Sequence, residues 1–541
     1  MKALLIGINT KYIHPSISLY QLKANTNYEV DIREFIIKDK VEKISSAITD
    51  CLNSSNYDLI GFSAYLWNID LTLKVVAVIK QKFPIKVVVG GPEVTYDAEH
   101  FLKENNGIDY IIRGEGEYSF NELLMYLDNK ISLDKVSNLS YILNNKYIEN
   151  KTKVVDLSDI NLATLMVKDL ENQVVYLESS RGCPYRCSYC TASLDNNLRF
   201  FPLDKVLNIL EYLMKNKAKT VKFLDRTFNA NKDYMMSILK FIDDKNICTV
   251  FQFEIVVDRL NSDVIEFINT LNHKYLRFEV GIQTIHNEIN KNVDRYQNME
   301  KLKENIKSLN NTNNIDLHVD LIAGLPGETK ELFIESFNET FNLKCKELQL
   351  GFLKFLRGTK LMSFIDKYEY IYNDEAPYEI IESNTMSVDD LCEIKSVEKA
   401  LNYYYNSNRF KRTFKFLFDN NLLNNPYYMF KKLSIGIDNK QLYSLFIHLD
   451  NFFKENLPYI YKDIHYEIIC DYLLNHLVKP KKWWDSLTKE EKTNIYPLIV
   501  SKLENISIHD LYQYSIVIKN DNKCFIIVYK NYKPSYFEII L

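Results

Sequence analysis

Short β-branched runs alternate with helical stretches in two separate blocks of this 541-residue chain, over residues 1–130 and again over residues 174–353. Strands that alternate with helices predict parallel sheets in which a helix forms each connection and packs on the sheet. Parallel sheets of this kind bind ligands beyond the carboxyl ends of their strands. The sequence therefore predicts an α/β protein, and it directs the search for function to the segments that follow the strands.

The two blocks predict different architectures. The first is a doubly wound, Rossmann-like parallel sheet over residues 1–130, and residues 131–172 form a linker with a small hairpin at Leu139–Asn150. The second, residues 173–375, contains six predicted strands separated by helices, which favours an open or partial (β/α) barrel. Residues 376–541 carry amphipathic stretches, so this region is predicted to be mostly helical, with a small antiparallel sheet at its end.

Three of the nine cysteines lie within eight residues, directly after the first strand of the second block. Cys183, Cys187 and Cys190 supply three thiolates on one loop, which can bind three irons of a cubic iron–sulfur cluster and leave the fourth iron open. An open metal site is typical of catalysis rather than of structure. A zinc site would need a fourth ligand nearby, and neither a disulfide framework nor unrelated core cysteines would place three thiols in one polar loop.

Composition narrows the classes of partner. The net charge of −4 gives no basic field for a nucleic-acid backbone, so no polynucleotide partner is predicted. Apolar residues make up 46% of the chain and charged residues 26%, as in ordinary globular proteins. No apolar run approaches the roughly 20 residues of a membrane span, and the N-terminus is predicted to be a buried strand rather than an export signal. With reduced cysteines, these features lead us to expect a cytoplasmic protein.

The cysteine loop resembles that of the radical S-adenosylmethionine (SAM) superfamily. The CxxxCxxC spacing, the aromatic Tyr189 before the last cysteine and the Leu325–Glu328 segment after a later strand all match patterns of that superfamily. The resemblance implies that Cys183, Cys187 and Cys190 hold a [4Fe–4S] cluster whose open iron chelates SAM. An electron from the cluster then cleaves SAM to a 5′-deoxyadenosyl radical, which is chemistry of the cofactor.

Four further residues lie where the superfamily contacts SAM. Asp225 ends the second strand, at the position of a Gly-Gly-Glu motif that this sequence lacks, and the resemblance implies that its carboxylate replaces that of the motif. Glu254 lies on the third strand, and Glu279 and Gln283 lie on the fourth, where ribose or methionine contacts are expected. The alternative for each is a polar side chain that is satisfied inside the barrel.

Segments at the strand ends of the first block resemble the cobalamin-binding domain that one branch of radical SAM enzymes carries. Glycines there let the backbone approach a large planar ligand. A flavin, or no ligand at all, is the alternative for such a domain, whereas the missing GxGxxG motif disfavours a dinucleotide. The residues that the resemblance assigns to cobalamin are Tyr65, Trp67, Asn68, Gly90, Gly91, Pro92, Glu93, Gly114 and Glu115.

His14 is a further cobalamin candidate, because it follows the first strand. Cobalamin domains that coordinate cobalt through histidine carry Asp-x-His-x-x-Gly at this point, and only the histidine of that motif is present here. Three roles stay open for His14: ligation of cobalt, contact with the corrin face, or packing in the crevice. Tyr65 and Trp67 are alternative corrin contacts, or else core residues.

Together these resemblances cover residues 1–375 and imply a cobalamin-dependent radical SAM enzyme, most simply a methyltransferase. The alternatives are a rearrangement or redox reaction with non-methylating cobalamin, sulfur insertion, which would call for a second cysteine group, and a cluster or cobalamin sensor without catalysis. The expected partners are a small-molecule or peptide substrate and a reductant such as flavodoxin or ferredoxin. Residues 376–541 resemble an uncharacterised helical extension of one subgroup, in which the tyrosine run 403–405 is expected to be core or part of a lid.

Overall fold

The computed structural model of the protein describes residues 1–195, 197–245, 248–272, 275–311, 315–437, 441–503 and 506–541. They form two compact units. The first unit comprises residues 1–336, 343–345 and 350–388, and the second comprises residues 337–342, 346–349 and 389–541. The first unit holds the first predicted parallel sheet and nearly all of the second, which confirms the α/β fold class.

The first sheet has seven strands. They are β1 (Lys2–Asn9), β2 (Glu29–Ile36), β3 (Leu59–Ser63), β4 (Lys86–Gly90), β5 (Tyr110–Ile112), β6 (Leu139–Leu143) and β7 (Lys146–Glu149). Their order is β2-β1-β3-β4-β5-β6-β7, with β1 to β5 parallel and β6 and β7 antiparallel. The predicted hairpin is therefore the edge of this sheet. Between β1 and β3 the strand order reverses, which is the point where such sheets bind ligands.

Helices cover the sheet because its central strands are apolar on both faces. Leu4 and Leu5, neighbours on β1, are at most 1% exposed, and they belong to different hydrophobic clusters on opposite faces of the sheet. Continuous apolar strands of this kind are typical of parallel sheets. The helices of this domain are α1 (Ile17–Ala24), α2 (Val41–Ser54), α3 (Ile69–Lys82), α4 (Pro92–Thr95), α5 (Ala98–Glu104) and α6 (Glu117–Leu127).

The second sheet contains six strands, and a two-stranded ribbon follows its first strand. In chain order these elements are β8 (Val174–Leu177), the ribbon strands β9 (Ser180–Arg181) and β10 (Arg199–Phe200), and then β11 (Thr220–Phe223), β12 (Val250–Ile255), β13 (Leu276–Gln283), β14 (Ile315–Ala323) and β15 (Glu347–Phe352). The sheet order is β15-β14-β13-β12-β11-β8. Buried and partly exposed residues alternate along β12 and β13, so one face of each strand packs under helices while the other carries polar side chains.

Helices and a short hairpin complete the chain between β10 and the second unit. The helices are α7 (Leu203–Lys215), α8 (Lys232–Asp244), α9 (Ser262–Thr270), α10 (Asn287–Asn292), α11 (Met299–Asn310), α12 (Lys330–Phe341) and α13 (Ile365–Tyr368). The hairpin strands are β16 (Ile371–Tyr372) and β17 (Ile380–Glu382). Asn231 caps α8 by accepting a hydrogen bond from the backbone of Tyr234.

The second unit is mostly helical and ends in an antiparallel sheet, as the sequence predicts. Tyr404, from the tyrosine run, is fully buried and hydrogen-bonds His448, which makes it a core residue. No helix in the described ranges has both the length and the apolar character that crossing a membrane requires. The elements are α14 (Val388–Leu401), α15 (Lys411–Asp419), α16 (Pro426–Ser434), α17 (Leu442–Asn456), α18 (Tyr461–Leu474), α19 (Lys489–Lys502), α20 (Ile508–Gln513), β18 (Ser515–Asn520), β19 (Lys523–Val528) and β20 (Ser535–Ile540).

Candidate active site

A cavity of about 770 Å³ lies at the carboxyl ends of both parallel sheets. The first sheet lines it with the segments after β1, β3, β4 and β5, and the second lines it with residues from β8, β11 and the cysteine loop. Eight of the ten predicted cobalamin positions line this cavity: His14, Tyr65, Trp67, Gly90, Gly91, Pro92, Gly114 and Glu115. The position agrees with the general rule that parallel sheets bind ligands beyond their carboxyl ends.

Gly91 brings bare backbone to the wall of this cavity. Its φ of 124° is one that side chains rarely allow, and a Cβ atom there would lie 2.3 Å from the carbonyl oxygen of Ala64. Gly90 has no such constraint, because a Cβ atom would meet its nearest neighbour, the Ile112 carbonyl oxygen, at an ordinary 3.5 Å. The turn after β4 therefore depends on glycine at position 91 only.

The substitution Gly91→Ala is expected to lower the free energy of unfolding by about 2 kcal/mol or more, since the strained φ alone costs on the order of 1–3 kcal/mol. Gly90→Ala is the matched control and is expected to change stability by less than about 1 kcal/mol. Chemical unfolding of both variants checks this. Equal stabilities for the two would contradict the structure of this turn.

An aromatic pair covers another part of the cavity wall. The rings of Tyr65 and Trp67 stack with centroids 4.5 Å apart and an interplanar angle of 4°. The Tyr65 hydroxyl donates to Ser18 Oγ at 3.0 Å, and the Trp67 indole N–H donates to the Ile8 carbonyl at 3.3 Å. Trp67 is still 48% exposed, so its ring presents an apolar surface to the cavity.

His14 lines the cavity beside a residue of the second sheet. Its Nδ1 atom hydrogen-bonds the hydroxyl of Tyr176, on β8, at 2.6 Å. Burial lowers the pKa of His14, with smaller contributions from Lys11 and Lys222, so the neutral imidazole is favoured. The hydrogen bond joins the two halves of the cavity wall at this point.

Two predicted cobalamin residues support the cavity from behind instead of lining it. The Asn68 side-chain amide donates to the carbonyls of Ile8 and Ser63, each at 3.0 Å, and thereby ties the ends of β1 and β3 together. Glu93 is buried, and it accepts a hydrogen bond from the Tyr378 hydroxyl and lies 3.4 Å from Arg357 Nε. Burial raises the pKa of Glu93. Both side chains therefore already have partners within the fold.

The cysteine loop is closed at its base by the ribbon of β9 and β10, in which Arg181 faces Arg199. Cys183 and Cys187 are buried and Cys190 is partly exposed. Three backbone bonds fix the loop: Cys183 N–H to the Asp195 carbonyl (3.2 Å), Ser188 N–H to the Val293 carbonyl (2.9 Å) and Leu361 N–H to the Ser188 carbonyl (2.9 Å). These three hydrogen bonds connect the loop to three other segments of the chain and restrain its shape.

The cysteine loop does not group three ligands around a single metal ion. Within the described residues, no three His, Cys, Asp or Glu side chains are grouped so that they could hold one metal ion. A four-iron cluster has a different requirement, since each thiolate binds its own iron and three cysteines serve three of the four irons. Cys183, Cys187 and Cys190 lie near enough to influence one another's charge, and burial raises the pKa of the Cys190 thiol.

A buried ion cluster connects the cysteine loop to the first sheet. Arg181 donates to Glu115 Oε1 at 3.1 Å, to Glu117 Oε1 at 2.6 Å and to Glu178 Oε2 at 2.8 Å. Arg199 also binds Glu115, at 2.8 Å. The Arg181 side chain is 11% exposed and that of Glu117 is 5% exposed, so these contacts are shielded from water. The carboxylate of Glu115, a predicted cobalamin contact, is thus bound to two arginines.

The predicted SAM residues differ in how far their side chains are already satisfied. Asp225 is 1% exposed and accepts hydrogen bonds from Ser179 N (3.0 Å), Ser179 Oγ (2.6 Å) and Ser180 Oγ (2.5 Å). Burial raises its pKa to about 6 despite these bonds. Asp225 therefore anchors the segment that leads into the cysteine loop.

The other three predicted SAM residues lie on the polar face of the second sheet. Glu279 pairs with Lys222 at 2.9 Å, whereas Glu254 has only a 3.9 Å contact with Arg226. Gln283 ends β13 with a φ of 69°, and its Oε1 atom is buried without a hydrogen-bond partner among the described residues. Of the three, Gln283 and Glu254 have the most bonding capacity left for a ligand.

Comparison with known protein families accounts for this arrangement. Residues 4–124 match the B12 binding domain, residues 177–339 match the radical SAM superfamily, and residues 366–522 match a protein family of unknown function, DUF4080. The chain is a cobalamin-binding radical SAM enzyme. The family resemblance of the sequence is thereby confirmed, and with it the three cofactors: cobalamin, SAM and a [4Fe–4S] cluster.

Methyltransferases are among the relatives of this radical SAM enzyme. It is 26% identical over 339 residues to an uncharacterized methyltransferase of Pyrococcus horikoshii, which covers 59% of this chain and 71% of that protein. It is 24% identical over 338 residues to the 2-(S-pantetheinyl)-carbapenam-3-carboxylate methyltransferase of Streptantibioticus cattleyicolor, covering 58% of this chain but only 48% of that protein.

Solved structures show the same fold. The cobalamin-dependent radical SAM enzyme OxsB, with aqua-cobalamin bound, has a TM-score of 0.59 at 15% identity and covers 94% of this chain and 84% of its own. The methyltransferase TsrM from Kitasatospora setae, with cobalamin and a [4Fe–4S] cluster bound, has a TM-score of 0.58 at 15% identity over 70% of this chain and 76% of its own. At these identities the likeness concerns the fold.

Sequence reasoning missed Arg181, Glu117, Arg199 and Tyr176 in this radical SAM enzyme. A partial signal was present, because Arg181 lies two residues before Cys183 and Glu117 ends the glycine-rich segment that resembles the cobalamin domain. Arg181 and Glu117 are 64 residues apart in the chain, and His14 and Tyr176 are 162 apart. Such pairings depend on the fold and cannot be identified from one sequence.

Proposed function

We propose that this enzyme transfers a methyl group to an unactivated carbon of a small molecule or peptide. The observation that supports the proposal is the cavity lined by both sheets, in which Trp67 and Gly91 face the cavity from the first sheet and Tyr176 and Arg226 from the second. A reaction that combines the two cofactors requires both of them to reach one shared space.

The cluster is proposed to be held by Cys183, Cys187 and Cys190. When bound, the cofactors supply an electron that cleaves SAM to a 5′-deoxyadenosyl radical, and a methyl group carried by cobalamin. The protein's part is to fix the three thiolates on one rigid loop, which the β9–β10 ribbon and the backbone bonds of that loop provide. Gln283 and Glu254 are proposed to contact SAM through their unsatisfied oxygens, and Glu279 through its exposed edge.

The corrin is proposed to lie against the first sheet. Bare backbone at Gly90, Gly91 and Gly114 allows close approach, and the stacked pair of Tyr65 and Trp67 offers a flat apolar surface. Pro92 lies in the same wall. For His14 both ligation of cobalt through Nε2 and contact with the corrin face fit the structure, because the hydrogen bond with Tyr176 engages Nδ1 alone.

The electron is proposed to come from a flavodoxin or ferredoxin in the cytoplasm, where free thiols stay reduced. None of the nine cysteines, all of which lie in the described residues, forms a disulfide. A non-methylating cobalamin reaction and a sensor role make different predictions, so the experiment below separates them from methyl transfer.

The test is anaerobic reconstitution of the full chain with iron, sulfide and hydroxocobalamin. We expect one equivalent of corrin after desalting, a [4Fe–4S] spectrum, formation of 5′-deoxyadenosine from SAM, and transfer of labelled methyl from SAM to the bound corrin. Corrin binding and SAM cleavage without methylation of the corrin would point to the non-methylating reaction. A cluster that never cleaves SAM would support a sensor. Loss of all corrin on desalting would refute the proposal.

A further inference from the structure

Arg295 places a positive charge against one of the proposed cluster ligands. It lies three residues after α10 ends, and its Nη1 atom donates to Cys187 Sγ at 3.5 Å. Its Nη2 atom donates to the Gly281 carbonyl, on β13, at 2.5 Å. The Nε atom is buried and makes no hydrogen bond within the described residues. The guanidinium is therefore fixed in place, with Cys187 as its one sulfur contact.

Other arginines in the same region have carboxylates as partners. Arg181, Arg199 and Arg357 each form ion pairs of 3.1 Å or less with Asp or Glu. Across the described ranges Arg295 has no carboxylate within 4 Å. Asp258 acts on Arg295 only from beyond contact distance, and an enclosed cation is costly unless a negative group in contact compensates it. The thiolate loop is the negative group that Arg295 contacts.

We propose that Arg295 is a positioning residue for electron transfer, one that raises the reduction potential of the cluster bound by the cysteine loop. Reduction adds one electron from a low-potential one-electron donor, breaks no bond and increases the negative charge on the thiolate-bound group. A nearby cation stabilises the more negative state by Coulomb attraction. Hydrogen bonds to the ligand sulfurs act on the potential of such clusters in the same direction. This inference rests on the proposed function, since it requires a cluster on the three cysteines.

The protein supports the geometry through Gly281. Arg295 Nη2 and Gln297 Nε2 both donate to the Gly281 carbonyl, the latter at 3.0 Å. The end of β13 therefore orients the guanidinium toward the loop. Tyr189 also lies beside Cys187 and Arg295, which encloses the contact further. Low local polarity strengthens the interaction between the guanidinium and the sulfur.

The experiment is a redox titration of the full-length, anaerobically reconstituted protein, followed by electron paramagnetic resonance at matched iron content. For Arg295→Gln we expect the ratio of reduced to oxidised cluster at a fixed potential to fall at least tenfold, which for a one-electron couple is about 59 mV toward more negative values. Arg295→Lys keeps the charge and is expected to shift less. The matched control is Arg409→Gln, which removes an exposed arginine of the second unit, and it should match wild type.

Three outcomes overturn the inference. The first is an Arg295→Gln variant with full iron content and the wild-type potential, and the second is an equal shift in Arg409→Gln. If Arg295→Gln does not retain a cluster, Gln297→Glu decides. A carboxylate at position 297 can no longer donate to the Gly281 carbonyl that Arg295 shares, and its negative charge offsets that of the guanidinium, so the potential is expected to fall. An unchanged potential is the third outcome. A wild-type protein without any cluster would instead defeat the proposed function, so the two failures are distinguishable.

Discussion

Replacing any one of Cys183, Cys187 and Cys190 by alanine is expected to abolish SAM cleavage. Each cysteine is the proposed ligand of one iron, and alanine offers no atom that can replace it. The loop itself should survive, because its shape depends on backbone bonds to Asp195, Val293 and Leu361 rather than on the thiols. We therefore expect folded protein with little bound iron and 5′-deoxyadenosine formation at background level, measured by iron and sulfide analysis and chromatography.

Cys392→Ala is the matched control for the cysteine series. Cys392 is exposed on α14, where alanine is well accommodated in a helix, so this variant should keep full iron content and activity. Wild-type iron content or SAM cleavage in any of the three loop variants would show that the corresponding thiolate is not a ligand. Equal loss in Cys392→Ala would show that the assay reports damage to the protein in general.

Strand–helix alternation predicted the helices and strands well, because the local pattern of apolar and polar residues reflects which residues are buried. β13 alternates buried and partly exposed residues, and β1 is apolar throughout, so both were recognisable as strands. The hairpin after residue 131 was also recognisable, but its attachment to β5 was not. Which strand an edge hairpin joins depends on its long-range pairing, for which one sequence contains no pattern.

The same limit applies to the site. Gly90 and Gly91 were both predicted to let the backbone approach a ligand, and the turn itself requires glycine only at position 91. The partners of Asp225 and Glu115 were not, although both residues were singled out. Asp225 turned out to be enclosed by Ser179 and Ser180, and Glu115 to bind arginines 66 and 84 residues further along the chain. From one sequence, a carboxylate that contacts a cofactor cannot be distinguished from one that forms an ion pair, because the partners of both come from distant parts of the chain.

The second large effect concerns the ion cluster around Arg181. Arg181→Met is expected to lower the free energy of unfolding of the first unit by about 3–5 kcal/mol, because removing one partner leaves buried charges without compensation. Glu117, at 5% exposure, and Glu178 would lose their contacts with the guanidinium. Arg181→Lys keeps the charge but cannot make the forked contacts to several carboxylates, so it should lie between Arg181→Met and wild type. Chemical unfolding followed by fluorescence measures both.

Corrin binding and cluster loading should weaken together in Arg181→Met, which distinguishes this site from an ordinary stabilising ion pair. Arg181 lies two residues before Cys183, and Glu115, which it binds, lines the cavity proposed for cobalamin. The control is Lys103→Met, since Lys103 and Glu99 form an exposed pair on α5 whose loss should cost less than about 1 kcal/mol. If Arg181→Met loses iron but binds hydroxocobalamin as wild type does, the two cofactor sites are independent. If the variant loses both iron and corrin under conditions in which it is still folded, the ion cluster is the connection through which one cofactor site stabilises the other.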